Sequence, residues 1–234
     1  MNVQLLAHTP APEQLVAASA KLCYSAASIA DLAAIEADKA AEFIGKLPEA
    51  HQSPLEHASF TFAIEGVSRA MLAQITRHRI ASFSVQSQRY VEMDEFGYVV
   101  PPSIAEDEEL LRNYRGIMDL IQLSYNCVRA QLKRNHIQKG VSPEDAAKLA
   151  NEDARFVLPN ACETRMIVTM NARELLHFFS LRCCKRAQWE IRAVADEMLR
   201  LCKEVAPEIF AKAGPGCVRG HCPEGKMGCK HESK

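Results

Sequence analysis

The spacing of apolar residues changes period several times along the chain, and each change marks a predicted element. Between Thr9 and Leu47 an alanine-rich stretch predicts two helices, the second carrying Ile29, Leu32, Ile35, Phe43, Ile44 and Leu47 near the 3.6-residue period. Ser25 and Ser28 can supply the N-cap between them. After Pro48 the period drops to two: Phe60, Phe62 and Ile64 alternate with Thr61 and Ala63, as in a strand with one buried face. Helical spacing returns in VSRAMLAQITRHR, from Val67 to Arg79. Between Tyr90 and Pro101, a glycine flanked by aromatic and β-branched residues predicts a pair of short strands.

The clearest helix runs from Glu106 to Lys139, where Leu110, Tyr114, Ile117, Ile121, Tyr125, Val128 and Leu132 recur every three or four residues. Such a stripe needs a covering surface. Ser142, Pro143 and Asp145 open the next helix with a cap, a first-turn proline and an acidic residue, and Pro159 marks its end. MIVTM predicts a strand, Asn171 with Glu174 forms a cap signature ahead of LLHFFSLR, and QWEIRAVADEMLRLCKEV forms a last amphipathic helix. Helices around a few short strands, without regular strand–helix alternation, predict an α+β fold: helices packed on a small, mostly antiparallel sheet in a single domain. Residues 1–213 form that domain, and 214–234 are a tail bearing glycine and cysteine.

Composition narrows the function classes. At 234 residues the chain is long enough for one sizeable core, and 28 basic against 29 acidic residues leave a net charge of −1. That balance argues against coating nucleic acid through counterion release. No apolar run approaches the roughly 18 residues of a membrane helix, and no Lys or Arg precedes Lys21, so neither membrane insertion nor export is expected. Nine cysteines, an odd number, fit reduced thiols in the cytoplasm. The only glycine cluster, GPGCVRG, has no βαβ unit behind it, which excludes a Rossmann site, and a P-loop is absent.

Three constellations could carry chemistry. In QITRHRIASFSVQSQRY, Gln74, Arg77 and His78 fall at i, i+3 and i+4, and Ser82, Ser84, Ser87 and Arg89 follow, a set suited to a phosphate or a planar heterocycle. A second set spans Arg155, Arg165, Asn171, Arg173, His177 and Arg182. Asn171 and Arg182 are about three helical turns apart. The third is HQSPLEH, where His51, Glu56 and His57 invite a metal; Pro54 and the six-residue histidine spacing argue against one. Cys217, Cys222, Cys229, His221 and His231 match no common zinc spacing, and Cys183 and Cys184 suit packing better than nucleophilic catalysis. No metal is expected.

RHRIASFSVQS, from Arg77 to Ser87, resembles the signature of the flavin-dependent thymidylate synthases. HQSPLEH, the segment around Gln74, ARFVLP, MNAR, and FSLR followed by AQWEI resemble that family's segments in the same order, from about Cys23 to Ile191. The resemblance implies reductive methylation of dUMP to dTMP, with 5,10-methylenetetrahydrofolate as carbon donor, FAD as hydride carrier and NADPH as reductant. It implies a homotetramer with shared active sites. By position, Ser53, Glu56, Arg77, His78, Arg79, Asn171, Arg173 and His177 would line the flavin site. Gln74, Arg77, Val85, Gln86, Ser87, Gln88, Arg89, Arg155 and Arg182 would hold the nucleotide, with Arg182 as the catalytic group. Ser84 and Val85 depart from the Asn and Glu of many members, so any contact from Val85 would come from its backbone. Leu175, Leu176, Phe178, Phe179 and Leu181 cover more than half of one helix's circumference, an independent reason to expect a covering subunit.

Overall fold

The computed structural model describes residues 1–46, 52–220 and 222–229. Its strands are β1 (Asn2–His8), β2 (Ser59–Ser68), β3 (Ala81–Val85) and β4 (Glu163–Asn171), hydrogen-bonded in the order β1-β2-β4-β3. The helices are α1 (Pro12–Leu22), α2 (Ile29–Ala33), α3 (Ala37–Gly45), α4 (Arg69–Ile75), α5 (Pro102–Ala105), α6 (Glu108–Gln138), α7 (Pro143–Ala154), α8 (Ala172–Arg182) and α9 (Trp189–Val205). The pairing is antiparallel: Thr9 N donates to Ser59 O, Ala172 N to Ala58 O, and Arg69 N to Cys162 O. The α+β class expected from the periodicity is what the chain adopts.

Backbone contacts group the chain into two compact units: Met1–Ile64, Gln74–Ser84 and Ile167–Lys234 form one, and Glu65–Ala73 with Val85–Met166 form the other. In the first unit Phe60, Phe62 and Ile64 of β2 and Val168 and Met170 of β4 are buried, as alternation requires. On the opposite face Thr61 and Thr169 hydrogen-bond through their hydroxyls at 2.9 Å. Phe60 packs edge-on to Phe210, Phe210 to Phe179, and Phe179 to Phe178, a run of rings that reaches His78, 4.9 Å from Phe178. Edge-to-face pairs of this kind contribute about 0.5–1.5 kcal/mol each beyond area burial. The predicted second helix is two, because Ala34–Glu36 interrupt it; Ser28 caps α2 in a capping box with Asp31.

In the second unit α6 packs on α7, around Met93, Phe96, Met118, Tyr125, Ala154 and Cys162. The strand pair expected between Tyr90 and Pro101 is absent. A single bridge joins Tyr98 to Cys162, and α6 satisfies the segment's backbone instead: Gln122 accepts from Phe96 N at 2.8 Å and donates to Met93 O at 2.9 Å, Tyr125 accepts from Met93 N, and Tyr114 donates to Val99 O. Gly97 lies close to the Glu163 carboxylate: a Cβ there would sit 2.6 Å from Oε2, so any larger residue needs that side chain to swing away. The predicted stripe of α6 is only half covered: Tyr125 is buried, but Leu110, Ile117 and Val128 are exposed, as are Leu120 and Leu123 beside them. Among the described residues no helix is long and apolar enough to cross a membrane.

Candidate active site

The first unit brings together the end of α4 and one face of α8. Helix α4 ends at Ile75, so Gln74, Arg77 and His78 do not share a helical face as their spacing predicted. Arg77 N donates to Gln74 O and His78 N to Ile75 O in a tighter turn, which exposes Arg77 and buries the His78 ring. Helix α8 starts where the cap signature placed it, with Asn171 Oδ1 accepting from Glu174 N at 2.9 Å. From that helix Glu174 Oε1 lies 3.0 Å from His78 Nδ1, and Arg182 Nε donates to His78 Nε2 at 3.2 Å. A second Arg182 nitrogen donates to Gln74 O at 3.5 Å. Burial holds the His78 pKa below the usual histidine value, against the Glu174 hydrogen bond and with the help of Arg182 and His177. Burial, then nearby Arg77, also lowers the Arg182 pKa.

The residues that the resemblance assigns to a flavin all lie in this same unit. Ser53 and Glu56 stand exposed on a 3-10 turn, Ser53–His57, which packs against α8, and Glu56 forms an ion pair with Arg173. Arg79 and His177 are exposed, and the His177 ring is 6.0 Å from His78. Gln74 Nε2 reaches Gln188 Oε1 at 3.4 Å, and Gln188 caps α9 by accepting from Glu190 N and Ile191 N.

The second unit holds the rest of the expected nucleotide set. Val85 is half-buried at the end of β3, and Gln86 N donates to Arg165 O. Ser87 Oγ accepts from Arg89 N at 3.2 Å, and buried Gln88 donates to Cys162 Sγ. The guanidinium of Arg89 pairs with Glu152, while its carbonyl accepts from Asn151 Nδ2. Asn151 is fixed in turn by Arg129, whose guanidinium also pairs with Glu92. Arg155 bonds Glu152 O and lies near Arg69, whose pKa is lowered by burial and by Arg155. Arg69, Asn151 and Glu152 carry no sequence motif of their own, and Gln188 lies in the AQWEI segment without being singled out there. Arg69, two residues before Met71, stands at a strand-to-helix junction that the sequence pattern presents only as helix.

Two further expectations concern thiols and metals. Cys183 is buried and its thiol is pushed up by burial and by Asp196, so it is not a thiolate at neutral pH. Beyond Gly214, two 3-10 turns and residues 180–187 enclose a cavity of about 710 Å³ lined in part by Cys184, Cys217, Cys222 and Cys229; Arg186 pairs with Glu224 beside it. Among the described residues no three His, Cys, Asp or Glu side chains gather as a metal-binding group. His51, His221 and His231 lie outside the described residues.

Residues 4–208 match the family model described as thymidylate synthase complementing protein. The chain is 49% identical over 231 residues to a flavin-dependent thymidylate synthase of Clostridium tetani, covering 98% of this chain and 93% of that one. The chain belongs to the flavin-dependent thymidylate synthase family. A second flavin-dependent thymidylate synthase, from Geobacter sulfurreducens, is 52% identical over 233 residues, with 98% of this chain and 94% of the relative covered. The fold is likewise that of the flavin-dependent thymidylate synthase of Helicobacter pylori, solved in complex with FAD and dUMP: the TM-score is 0.62 at 23% identity, over 92% of this chain and 100% of that one.

Proposed function

We propose that this chain methylates dUMP reductively to dTMP, with 5,10-methylenetetrahydrofolate as carbon donor, FAD as hydride carrier and NADPH as reductant. Family membership supports the reaction, and Arg182 is the observation that carries it to these residues. It is a half-buried guanidinium fixed by His78 and the Gln74 carbonyl, with its remaining N–H groups uncommitted among the described residues. A uracil ring takes up carbon at C5 only once it is electron-rich there, and the negative charge that makes it so is shared with N3 and O2. A cation already in place beside those atoms stabilises that charge without a proton transfer, because arginine stays protonated.

The residues fit FAD. Arg77, Arg79 and His177 are exposed, without a carboxylate partner among the described residues, which suits a diphosphate, and Arg173 can exchange Glu56 for an anionic ligand. Asn171 uses its carbonyl as the α8 cap and keeps its amide N–H groups to donate. When bound, FAD supplies the hydride chemistry, while Ser53, Glu56, His78 and the residues above orient it. Gln74 reads an amide edge of the base, and Ser87, Gln88, Arg89 and Arg155 hold the phosphate, with Val85 and Gln86 contributing backbone. Arg89 must leave Glu152 to do so, an exchange of one anion for another.

We read the active form as a cytoplasmic homotetramer with shared sites, the motif loop of one chain meeting Arg182 of another. Residues 1–213 carry the catalysis, and 214–234 form an appended tail. The exposed Leu110, Ile117, Leu120 and Leu123 of α6 and the exposed Leu181 of α8 support a covering subunit. The test is spectroscopic first: the purified protein is yellow, NADPH bleaches it without oxygen, and dTMP forms only with dUMP and the folate. A protein that stays colourless after incubation with FAD refutes the proposal.

A further inference from the structure

Glu174 sits in the first turn of α8, and its sequence position reads as a helix cap. Its backbone N–H does receive the Asn171 cap, but its carboxylate is buried, 6% exposed, and faces elsewhere. A buried carboxylate is costly without a partner. Glu174, Phe178 and Arg182 are spaced four residues apart, so they line one face of α8, and the His78 ring lies along that face. Nδ1 meets Glu174 at 3.0 Å, the ring packs edge-on to Phe178, and Nε2 meets Arg182 Nε at 3.2 Å.

Only one protonation pattern satisfies both ends. Arginine Nε–H can only donate, so His78 Nε2 must present its lone pair and the single imidazole proton must sit on Nδ1. That proton points at Glu174, which can only accept. Burial favours the same neutral ring.

We propose that Glu174 is a positioning residue for Arg182: it fixes the Nδ1–H tautomer of His78, so that Nε2 holds the guanidinium with its outer N–H groups aimed at the pyrimidine. This rests on the reading of Arg182 as the pyrimidine-facing cation. Protonating His78 sets two cations against each other and releases Arg182, so kcat/KM for dUMP has an acid limb. The charged and titratable groups facing the ring are Glu174, His177 and Arg182 on α8; Arg77 and Arg79 flank it in sequence. The Glu174 charge raises the His78 pKa, so its removal shifts that limb to lower pH.

Three measurements on the FAD-loaded protein test this. Imidazole 15N NMR of the wild type shows His78 protonated at Nδ1; protonation at Nε2 overturns the proposal. Glu174→Gln keeps an acceptor of the same shape: FAD content is retained, kcat/KM for dUMP falls roughly tenfold, and the acid limb moves down. An unmoved limb overturns it, since a merely structural role leaves the limb in place. Finally, dUMP affinity is measured in Arg182→Ala with and without Glu174→Gln. A positioning residue costs nothing further once Arg182 is gone, and fully additive losses overturn the proposal. Arg182→Ala alone, if it binds and turns over dUMP like the wild type, removes the reading of Arg182 itself and is thereby distinguished from failure of Glu174.

Discussion

Replacing Arg182 by alanine and by lysine asks how much of the reaction rests on a fixed planar cation. Of its five N–H donors, one goes to His78 and one to the Gln74 carbonyl, leaving three uncommitted among the described residues. Two of these on a uracil edge amount to about 3–6 kcal/mol, at roughly 1.5–3 kcal/mol for each hydrogen bond to a charged group. Arg182→Ala therefore lowers kcat/KM for dUMP by about 10²–10⁴. Lysine keeps the charge but not the fork and recovers roughly one bond, so Arg182→Lys stands about ten- to a hundredfold above alanine. Stability is affected little: Arg182 is the last residue of α8, where a cation contributes about 0.3–1 kcal/mol. The assay is dTMP formation against dUMP at saturating folate and NADPH, with FAD content and melting temperature measured in parallel. Wild-type kcat/KM in the alanine variant, or equal loss in both variants with FAD retained, refutes the reasoning.

Asn171→Ala removes the α8 cap and destabilises the protein by about 1 kcal/mol, a fall of roughly 2–4 °C in melting temperature that Asn171→Asp largely restores in calorimetry. Stability falls with acidification through His78. Its native pKa is depressed by burial, so the unfolded chain binds the proton first, and stability is lost as pH drops below about 6.5 until the native value is passed. His78→Gln, compared by denaturant titration across that range, loses this component. In native labelling with iodoacetamide, exposed Cys23 and Cys127 react before buried Cys183 and Cys202, whose thiols are pushed up by burial; replacing Cys183 and Cys184 by Ala leaves turnover within an order of magnitude.

The elements that the sequence revealed are those whose burial follows a simple period. β2 and β4 alternate cleanly, α7 and α8 announce themselves by Ser142 and Asn171, and α9 by its amphipathic pattern. β1 carries no alternation because only Val3 in it is buried, and β3, with no buried residue, gives the sequence no apolar face to show. The segment from Tyr90 to Pro101 misled because its aromatic residues pack against α6 while α6 side chains satisfy its backbone, a tertiary effect that β-propensity does not encode. At the candidate site the sequence offers the residue types but not their pairing. Glu174 and His78 are 96 residues apart, and nothing local tells a capping glutamate from one that faces an imidazole.

The same pairing explains how arginines can crowd together before any ligand arrives. Arg182 lies close enough to Arg77 for each charge to oppose the other, and Arg69 stands in the same relation to Arg155. Left alone, long side chains in that position swing apart into water. Here the chain restrains them with neutral or anionic acceptors: His78 and the Gln74 carbonyl take Arg182, the Glu152 carbonyl takes Arg155, and the Glu152 carboxylate takes Arg89. The acceptor differs in kind. A neutral imidazole fixes Arg182 without cancelling its charge, which leaves the field at that guanidinium available to a ring that becomes negative as it reacts. A carboxylate cancels the Arg89 charge, and on the proposed assignment the dUMP phosphate would displace it. On the proposed assignment, the cation that faces the base and the cation that holds the phosphate differ in their resting partners.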